Sequence, residues 1–585
     1  MIYPRPKLYE QRDGVCTVAF KKCGGHHEFY LINRDLIKYV PNPLLGADAY
    51  ILDIEPNTVT VTASCECGVY RAMTSLWQLS LGGGIPCCRA EDETQFENRA
   101  YMLDISRCRM PKVENIKKLI DLLSELKYNE FQLYMESFCF KYSAFPKYTA
   151  DFDCLTPDDI VELDKYCAER YIELVPNQNC FGHMKTWLDE EEFAHLGVGD
   201  DKESTATLNV LLPDTYEFVD KLFGSLLPYF TSKKVNIGLD EAYGLGRYQL
   251  EEECNTKGRD VVFTDWLNKV SDLCEKKYGK SVMFWSDMII NYPETFHHIP
   301  ENAIALNWGY DLIQSALMEK SCMDLNAKGI KYYVCPGNST WLAFTGRFDV
   351  MSFNVRTCAE AGRNNGAAGY LMTDWGCEEG HMHFPVWSLV PCALAAQYAW
   401  YDGVEQNGGM FKADLIRNAQ EFVDNKFFGG KRVSEYLYRL QQYYLLEPER
   451  VHSSTMCCLI FRKPISVSDC PEFFDLKNLC DDFYFDNVIW YVNRVLDDVY
   501  KLDINEQLKR EIIINAKMVI LAEELMKVRR SGCVTADKAE ELKSLIDDIS
   551  AEYKVLWNNI NFEKGMEDYL DQLADRRREL TGMIR

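Results

Sequence analysis

Eight short runs rich in β-branched and aromatic residues, separated by stretches long enough for a helix, constrain this chain more than any other feature. They read MLDIS (Met102–Ser106), NEFQLYME (Asn129–Glu136), YIELVP (Tyr171–Pro176), KVNIGLD (Lys234–Asp240), SVMFWSD (Ser281–Asp287), AIALNW (Ala303–Trp308), YYVCPG (Tyr332–Gly337) and AGYLMTDW (Ala368–Trp375). Between the first two, PKVENIKKLIDLLSEL places Ile116, Leu119, Ile120 and Leu123 on one helical face behind Pro111. Before the third, Thr156-Pro157-Asp158-Asp159 has the form of an N-cap, a proline at the first helical position and acids in the first turn. Strands alternating with helices in this way form parallel sheets, and eight such units close into a barrel. The expected fold class is α/β, a (β/α)8 TIM barrel.

The flanks differ in character. Residues 1–95 combine an alternating run, VTVTAS (Val59–Ser64), with a helix-like GVYRAMTSLWQLSL ended by Gly82, Gly83 and Gly84. They are expected to form a small α/β domain. The barrel is assigned residues 96–405. Residues 406–585 are expected to be an α-helical domain, with EQLKREIIINAKMVILAEELMKVRR stopping at Ser531-Gly532, then a helix from Thr535 carrying Leu542, Ile546, Ile549 and Tyr553. Those stripes are expected to cover the barrel or to form a homodimer contact, with no catalytic constellation among them.

The formal net charge of −25 argues against nucleic acid and anionic membrane surfaces as partners. There is no signal-peptide-like N-terminus and no run of about 18 apolar residues, so a cytoplasmic protein is expected. The 23 cysteines, scattered and odd in number, read as reduced core residues. Cys65-Glu66-Cys67 and Cys87-Cys88 lack the spacing of a zinc ribbon or finger. Neither metal nor cofactor is expected.

In such a barrel, chemistry sits at the C-terminal ends of the strands. Those ends bring Arg107; Glu136; Asn177, Gln178 and His183; Asp240-Glu241; Trp285 and Asp287; Asn307 and Trp308; Asn338 and Trp341; and Asp374, Trp375, Glu378, Glu379 and His381. Acids at strand ends are often helix caps and a tryptophan is usually core. Several ends, however, bring a tryptophan together with a polar group. Aromatic faces beside amides and acids suit a sugar, whose C–H faces stack while its hydroxyls hydrogen-bond. A glycosidase needs two carboxyl functions at the glycosidic bond. Adjacent residues on a strand point to opposite faces, so Asp240 and Glu241 are poorly placed as nucleophile and acid across one carbon. A better division gives Glu241 the leaving oxygen and Asp240 a substrate group, such as a 2-acetamido carbonyl, that is itself the nucleophile.

At this point the residues resemble a known family, glycoside hydrolase family 20, the β-N-acetylhexosaminidases. YMLDISRCRMPKVENIKKLIDLLSELKYNEFQLYME is similar to its first strand with arginine, helix and second strand. VPNQNCFGHM is similar to its third-strand segment ending in Gly-His, and NIGLDE to its Gly-x-Asp-Glu signature. GVYRAMTSLWQL resembles the helix of the small domain before the barrel, and the helical C-terminal region resembles that of some bacterial members. The resemblance implies exo-acting, retaining removal of terminal β-linked N-acetylglucosamine or N-acetylgalactosamine from an oligosaccharide or glycan. It implies Glu241 as acid and base, Asp240 orienting the acetamido group, Arg107 on sugar hydroxyls, His183 beside Asp240, and Trp285, Trp308 and Trp375 around the sugar. Glu379 or Asp374 would bind O4 and O6, and Glu136, Asp287, Asn338 and Trp341 complete the expected substrate-binding set. The family's tyrosine after the seventh strand is missing from CPGNSTW, leaving Asn338 or Tyr310 as its substitute, and TDWGCEEGHMH departs from the family's Trp-x-Glu.

Two rivals come from other classes. One is a sugar-binding protein with a non-catalytic barrel, which would have no need of the Asp240-Glu241 pair. The other is a metal-dependent barrel amidohydrolase or deacetylase using His381-Met382-His383, for which no matching acid-plus-lysine set is visible.

Overall fold

A computed structural model gives the structure of the chain, and the residues it describes are 1–200, 204–291, 298–403, 412–465, 469–470, 474–475 and 481–585. The boundary expected at 405 lies outside them. Eight parallel strands, Asn98–Asp104, Glu130–Met135, Glu173–Gln178, Lys234–Asn236, Ser281–Trp285, Ile304–Trp308, Tyr332–Cys335 and Gly369–Asp374, close in sequence order into a barrel. Each corresponds to one of the eight runs. The helix after the first strand, Val113–Glu125, buries Ile116, Ile120 and Leu123. Pro111 lies before this helix and bridges to Asn561 of the C-terminal region instead of starting the turn. Thr156 and Asp159 form a complete capping box on the helix Pro157–Ala168.

Before the barrel, five strands form a sheet in the order Leu8–Val15, Pro86–Asp92, Tyr50–Glu55, Thr58–Ala63, Lys38–Pro41. The helix Glu66–Ser80 lies between this sheet and the barrel, and is buried along almost its whole length. Its Arg71 pairs with Asp48 at 2.9 Å and donates to the carbonyls of Tyr128 and Tyr171 beside the barrel strands. Lys127 meets Asp92 at 2.7 Å with both side chains fully buried, and the Trp400 indole donates to the same carboxylate. A buried pair is costly to break from one side only, so these contacts fix the register of sheet against barrel.

Helices Glu506–Ser531, Ala536–Ile560 and Met566–Gly582 pack over the segment that follows the eighth strand. Leu542, Ile546, Ile549 and Tyr553 are buried. The hydroxyl of Tyr553 donates to the carbonyl of His381, and Asn515 donates to that of Met382 at 2.7 Å. No described helix is long and apolar enough to cross a membrane, and the cysteines whose side chains are described are free thiols.

Glu511 is the buried acid at this junction. It accepts from the Val386 amide at 3.3 Å and from Gln507 at 3.1 Å. Burial pushes its carboxyl up to about 7, the two hydrogen bonds only partly opposing this. A carboxyl whose folded pKa is raised favours folding below its unfolded pKa, about 4.3, and that contribution is lost as pH rises through the folded value. Glu511→Gln is therefore expected to match the wild type at pH 4 and to exceed its stability at pH 8 by on the order of 2–3 kcal/mol. Thermal melts at the two pH values check this; a variant equally destabilised at both would refute it.

Candidate active site

The fourth strand decides the geometry. Its ladder ends at Asn236, and the backbone then turns through left-handed conformations at Gly238 (φ 75°), Leu239 (φ 75°) and Glu241 (φ 46°). The side-chain oxygen of Asn179, Oδ1, accepts the Leu239 amide at 3.2 Å. That oxygen would lie 1.8 Å from any Cβ at position 238, so only glycine fits. Non-glycine residues held here cost about 1–3 kcal/mol each and mark functional sites. The strand alternation expected to send Asp240 and Glu241 to opposite faces does not apply, because the strand has already ended. Both carboxyls line one cavity.

The third strand supplies the partner. After Gln178 the chain passes Gly182, where a Cβ would stand 2.2 Å from the Asp240 carbonyl. It then turns at His183, itself left-handed at φ 55°. His183 Nε2 lies 3.3 Å from Asp240 Oδ2 and 3.2 Å from Glu241 Oε2. Its Nδ1 is 3.2 Å from Arg107 Nη2. An arginine can only donate, so in a neutral ring the hydrogen sits on Nε2, between the two carboxylates. Burial opposes a second ring proton, but Asp240 and Glu241 overcome it and hold the His183 pKa well above its ordinary value.

Asp240 is almost fully buried. Burial favours its protonated form, yet His183 and Arg107 outweigh this and keep the carboxylate below its usual range, with Asn179 donating at 3.3 Å. Glu241 shows the same balance, burial against hydrogen bonds from His183 and Tyr243, with a net downward shift. A third carboxyl, Asp287, accepts the Glu241 amide at 3.1 Å and the Trp308 indole at 3.2 Å. Burial and the neighbouring Asp240 charge push it up to about 7. It lines an adjoining cavity that also meets Glu241 and Trp308.

Arg107 is gripped from several sides. It meets Glu136 at 3.2 Å and Glu378 at 3.3 Å, and its guanidinium lies 4.8 Å from the Trp375 ring centre. Trp285, Trp308, Trp341 and Trp375 all line the cavity, whose volume is about 260 Å³, together with Arg107, His183 and Tyr310. The Tyr310 hydroxyl accepts the Trp375 indole hydrogen at 2.9 Å.

Besides Asp287, four expected binding residues stand outside this cavity. Asn338 is spent on its own turn, donating to Ser388 at 3.0 Å and accepting from Thr340. Asp374 closes the eighth strand and is buried against Arg109 at 2.8 Å, below the cavity. Glu379 sits at a left-handed turn (φ 56°) that sends it outward to Arg462 at 2.6 Å, while its neighbour Glu378 takes the cavity wall. Glu136 does not line the cavity; it holds Arg107 and accepts from Tyr134. The helical region, expected to bring no site residue, supplies Ser453 and Arg462 to the wall. Leu342 explains this: its carbonyl accepts the Thr455 amide and the Ser454 hydroxyl, drawing that loop onto the barrel mouth.

The donor atoms of His183, Asp240 and Glu241 lie within 4.8 Å of one another. That spacing is shared by a metal triad and by a hydrogen-bonded acid pair. The Arg107 cation against the imidazole favours the second, since it adds positive charge where a metal ion would add more.

Comparisons with known proteins agree with this geometry. Residues 96–363 match the model of the family 20 glycosyl hydrolase catalytic domain, and residues 6–93 match domain 2 of the same family. A beta-hexosaminidase of Vibrio furnissii is 23% identical over 52% of this chain and 54% of its own length. Human hexosaminidase D is 24% identical over 43% of this chain and 51% of its own. The chain thus spans about half the length of these curated relatives. Among solved structures, a chitobiase of Flavobacterium johnsoniae superposes with a TM-score of 0.59 at 17% identity, covering 97% of this chain and 98% of that one. With its eight-stranded barrel, its preceding sheet and the Asp240-Glu241 turn all in place, the chain belongs to glycoside hydrolase family 20.

Proposed function

We propose that this protein is an exo-acting β-N-acetylhexosaminidase that cleaves terminal β-linked N-acetylglucosamine or N-acetylgalactosamine by substrate assistance. The observation that carries the reading is the meeting of Asp240, Glu241 and His183 in one small cavity walled by four tryptophans. A sugar ring stacks on the indoles while Arg107 and Glu378 take its hydroxyls. Asp240, ionised and buried, accepts the acetamido N–H and turns the carbonyl oxygen toward the anomeric carbon. That oxygen attacks, the glycosidic C–O bond breaks, and the Glu241 proton goes to the leaving oxygen. The oxazolinium positive charge is then stabilised by Asp240. Water enters, gives its proton to Glu241, and opens the ring with retained configuration.

In the open site Glu241 is held ionised. A neutral sugar that expels water raises the cost of that charge and moves Glu241 toward the acid form it needs. In this reading Tyr310, rather than Asn338, donates to the acetamido oxygen; it lines the cavity, and its hydroxyl accepts from the Trp375 indole instead of donating to it. The free thiols support action in a reducing, cytoplasmic setting; finding the protein outside intact cells would contradict that.

Glu241→Gln is expected to slow substrates with poor leaving groups most, by about 10²–10⁴-fold, since these need acid assistance. Rates on a series of aryl glycosides of rising leaving-group pKa measure this, and equal losses across the series would remove Glu241 from the acid role. Tyr310→Phe is expected to weaken binding of N-acetylglucosamine-thiazoline, which mimics the cyclised intermediate, by about tenfold or more, the loss of one hydrogen bond to a charged group. Calorimetric titration reads it, and unchanged affinity would take Tyr310 out of the acetamido pocket.

A further inference from the structure

The segment after the eighth strand, Trp375-Gly-Cys-Glu-Glu-Gly-His-Met-His383, does more than wall the cavity. Its backbone turns back at Glu379 (φ 56°) and Gly380 (φ 108°). This brings Cys377, His381 and His383 together, their donor atoms all within 4.8 Å of one another and all three residues buried. The two imidazole rings have centres 4.2 Å apart and are tilted 53° to each other. His381 is 3% exposed and His383 1%. Nδ1 of His381 and both ring nitrogens of His383 are buried with no hydrogen-bond partner.

That is an expensive arrangement if nothing joins the rings. A buried polar group left without a partner has lost its water and gained nothing in return. Yet the segment is rigidly supported from outside. Tyr553 holds the His381 carbonyl, Asn515 the Met382 carbonyl and Gln572 the Glu379 carbonyl, from three successive C-terminal helices. The rings are thus fixed in place while three of their four nitrogens go unused. The Cys377 sulfur accepts the Leu342 amide at 3.2 Å, which fixes its direction. The nearby Arg109 cation is neutralised by Asp374 at 2.8 Å.

We propose that Cys377, His381 and His383 bind one zinc ion. One thiolate and two imidazoles are soft-to-borderline donors of the kind zinc takes in tetrahedral sites. Binding releases the Cys377 proton to solvent. A cavity of about 100 Å³ adjoins both histidines and has room for a water as the fourth ligand. Cys377 also lines the sugar cavity, and its neighbour Glu378 contacts Arg107. The ion would therefore pin the loop that carries Glu378 and Trp375 against the C-terminal helices. It takes no part in bond breaking; its role is positioning.

The test starts from full-length protein stripped with a chelator and titrated with zinc alone, then with cobalt as a spectroscopic probe. One tight equivalent is expected, with cobalt giving thiolate charge-transfer bands and the absorption of a tetrahedral site. Cys377→Ser and His383→Gln are each expected to lose that equivalent, and Asp240→Asn to keep it. Stripped wild type is expected to melt several degrees lower and to show a higher KM with kcat little changed. X-ray absorption of the zinc-loaded wild type, which needs no variant to fold, is expected to give one sulfur at about 2.3 Å and nitrogen at about 2.0 Å. Absence of a tight equivalent in the wild type, a sulfur-free shell, or loss of the ion in Asp240→Asn with retention in His383→Gln would each overturn the proposal.

Discussion

Arg107 and His183 form a short buried chain of hydrogen-bond donors, the guanidinium toward the imidazole and the imidazole toward the acid pair, and the active-site geometry depends on it. Asp104, Glu136 and Glu378 surround the guanidinium, while Asp240 and Glu241 share the imidazole. Without these two residues the carboxylates would repel one another in a dry cavity, and each would be driven toward protonation. With them, Asp240 and Glu241 both remain below their usual pKa although burial pulls the other way. Asp287 lacks such a partner and shows the contrast. It lies against the same turn, receives only an amide and an indole hydrogen, and is pushed up to about 7. The environment of each acid, more than its position in sequence, separates carboxylates held ionised in the open site from one that holds its proton near neutrality.

The turn that makes this possible stores strain. His183, Leu239 and Glu241 each sit in left-handed backbone, and the surroundings over-determine all three. Asn179 bonds the Leu239 amide, Gly182 lets the Asp240 carbonyl approach, and the Met184 amide reaches Ala206. Around this core the sheet of the first residues and the helices of the last ones act as clamps. The first is fixed by the buried Arg71–Asp48 and Lys127–Asp92 pairs. The second is fixed through Tyr553 and Asn515 on the segment after the eighth strand.

Much of this was legible in the residue order. Strand periodicity and helix caps located all eight barrel strands, because buried parallel strands leave a dense apolar signature that turns interrupt. The barrel rule then pointed to Arg107, His183, Asp240, Glu241 and four tryptophans, all of which line the cavity. What failed did so where single-residue backbone conformation matters. Glu378 and Glu379 are indistinguishable by spacing, and only the left-handed turn at Glu379 decides which faces inward. Asp374 is the last residue of its ladder, one position too deep. Asn338 reads as a ligand but caps its own turn. Ser453 and Arg462 carry no local signal at all, since a contact to Leu342 across more than a hundred residues brings them in. Strand alternation does not separate Asp240 from Glu241, because the ladder ends at Asn236 and a left-handed turn carries both acids.

The most direct measurement is hydrolysis of four nitrophenyl β-glycosides by the purified protein: the N-acetylglucosaminide, N-acetylgalactosaminide, glucoside and galactoside. Substrate assistance by Asp240 and Glu241 requires turnover of the two N-acetyl sugars alone, and their ratio gives the preference at O4. Equal turnover of the glucoside or galactoside would mean a nucleophile supplied by the protein, and would contradict the roles given to this carboxylate pair.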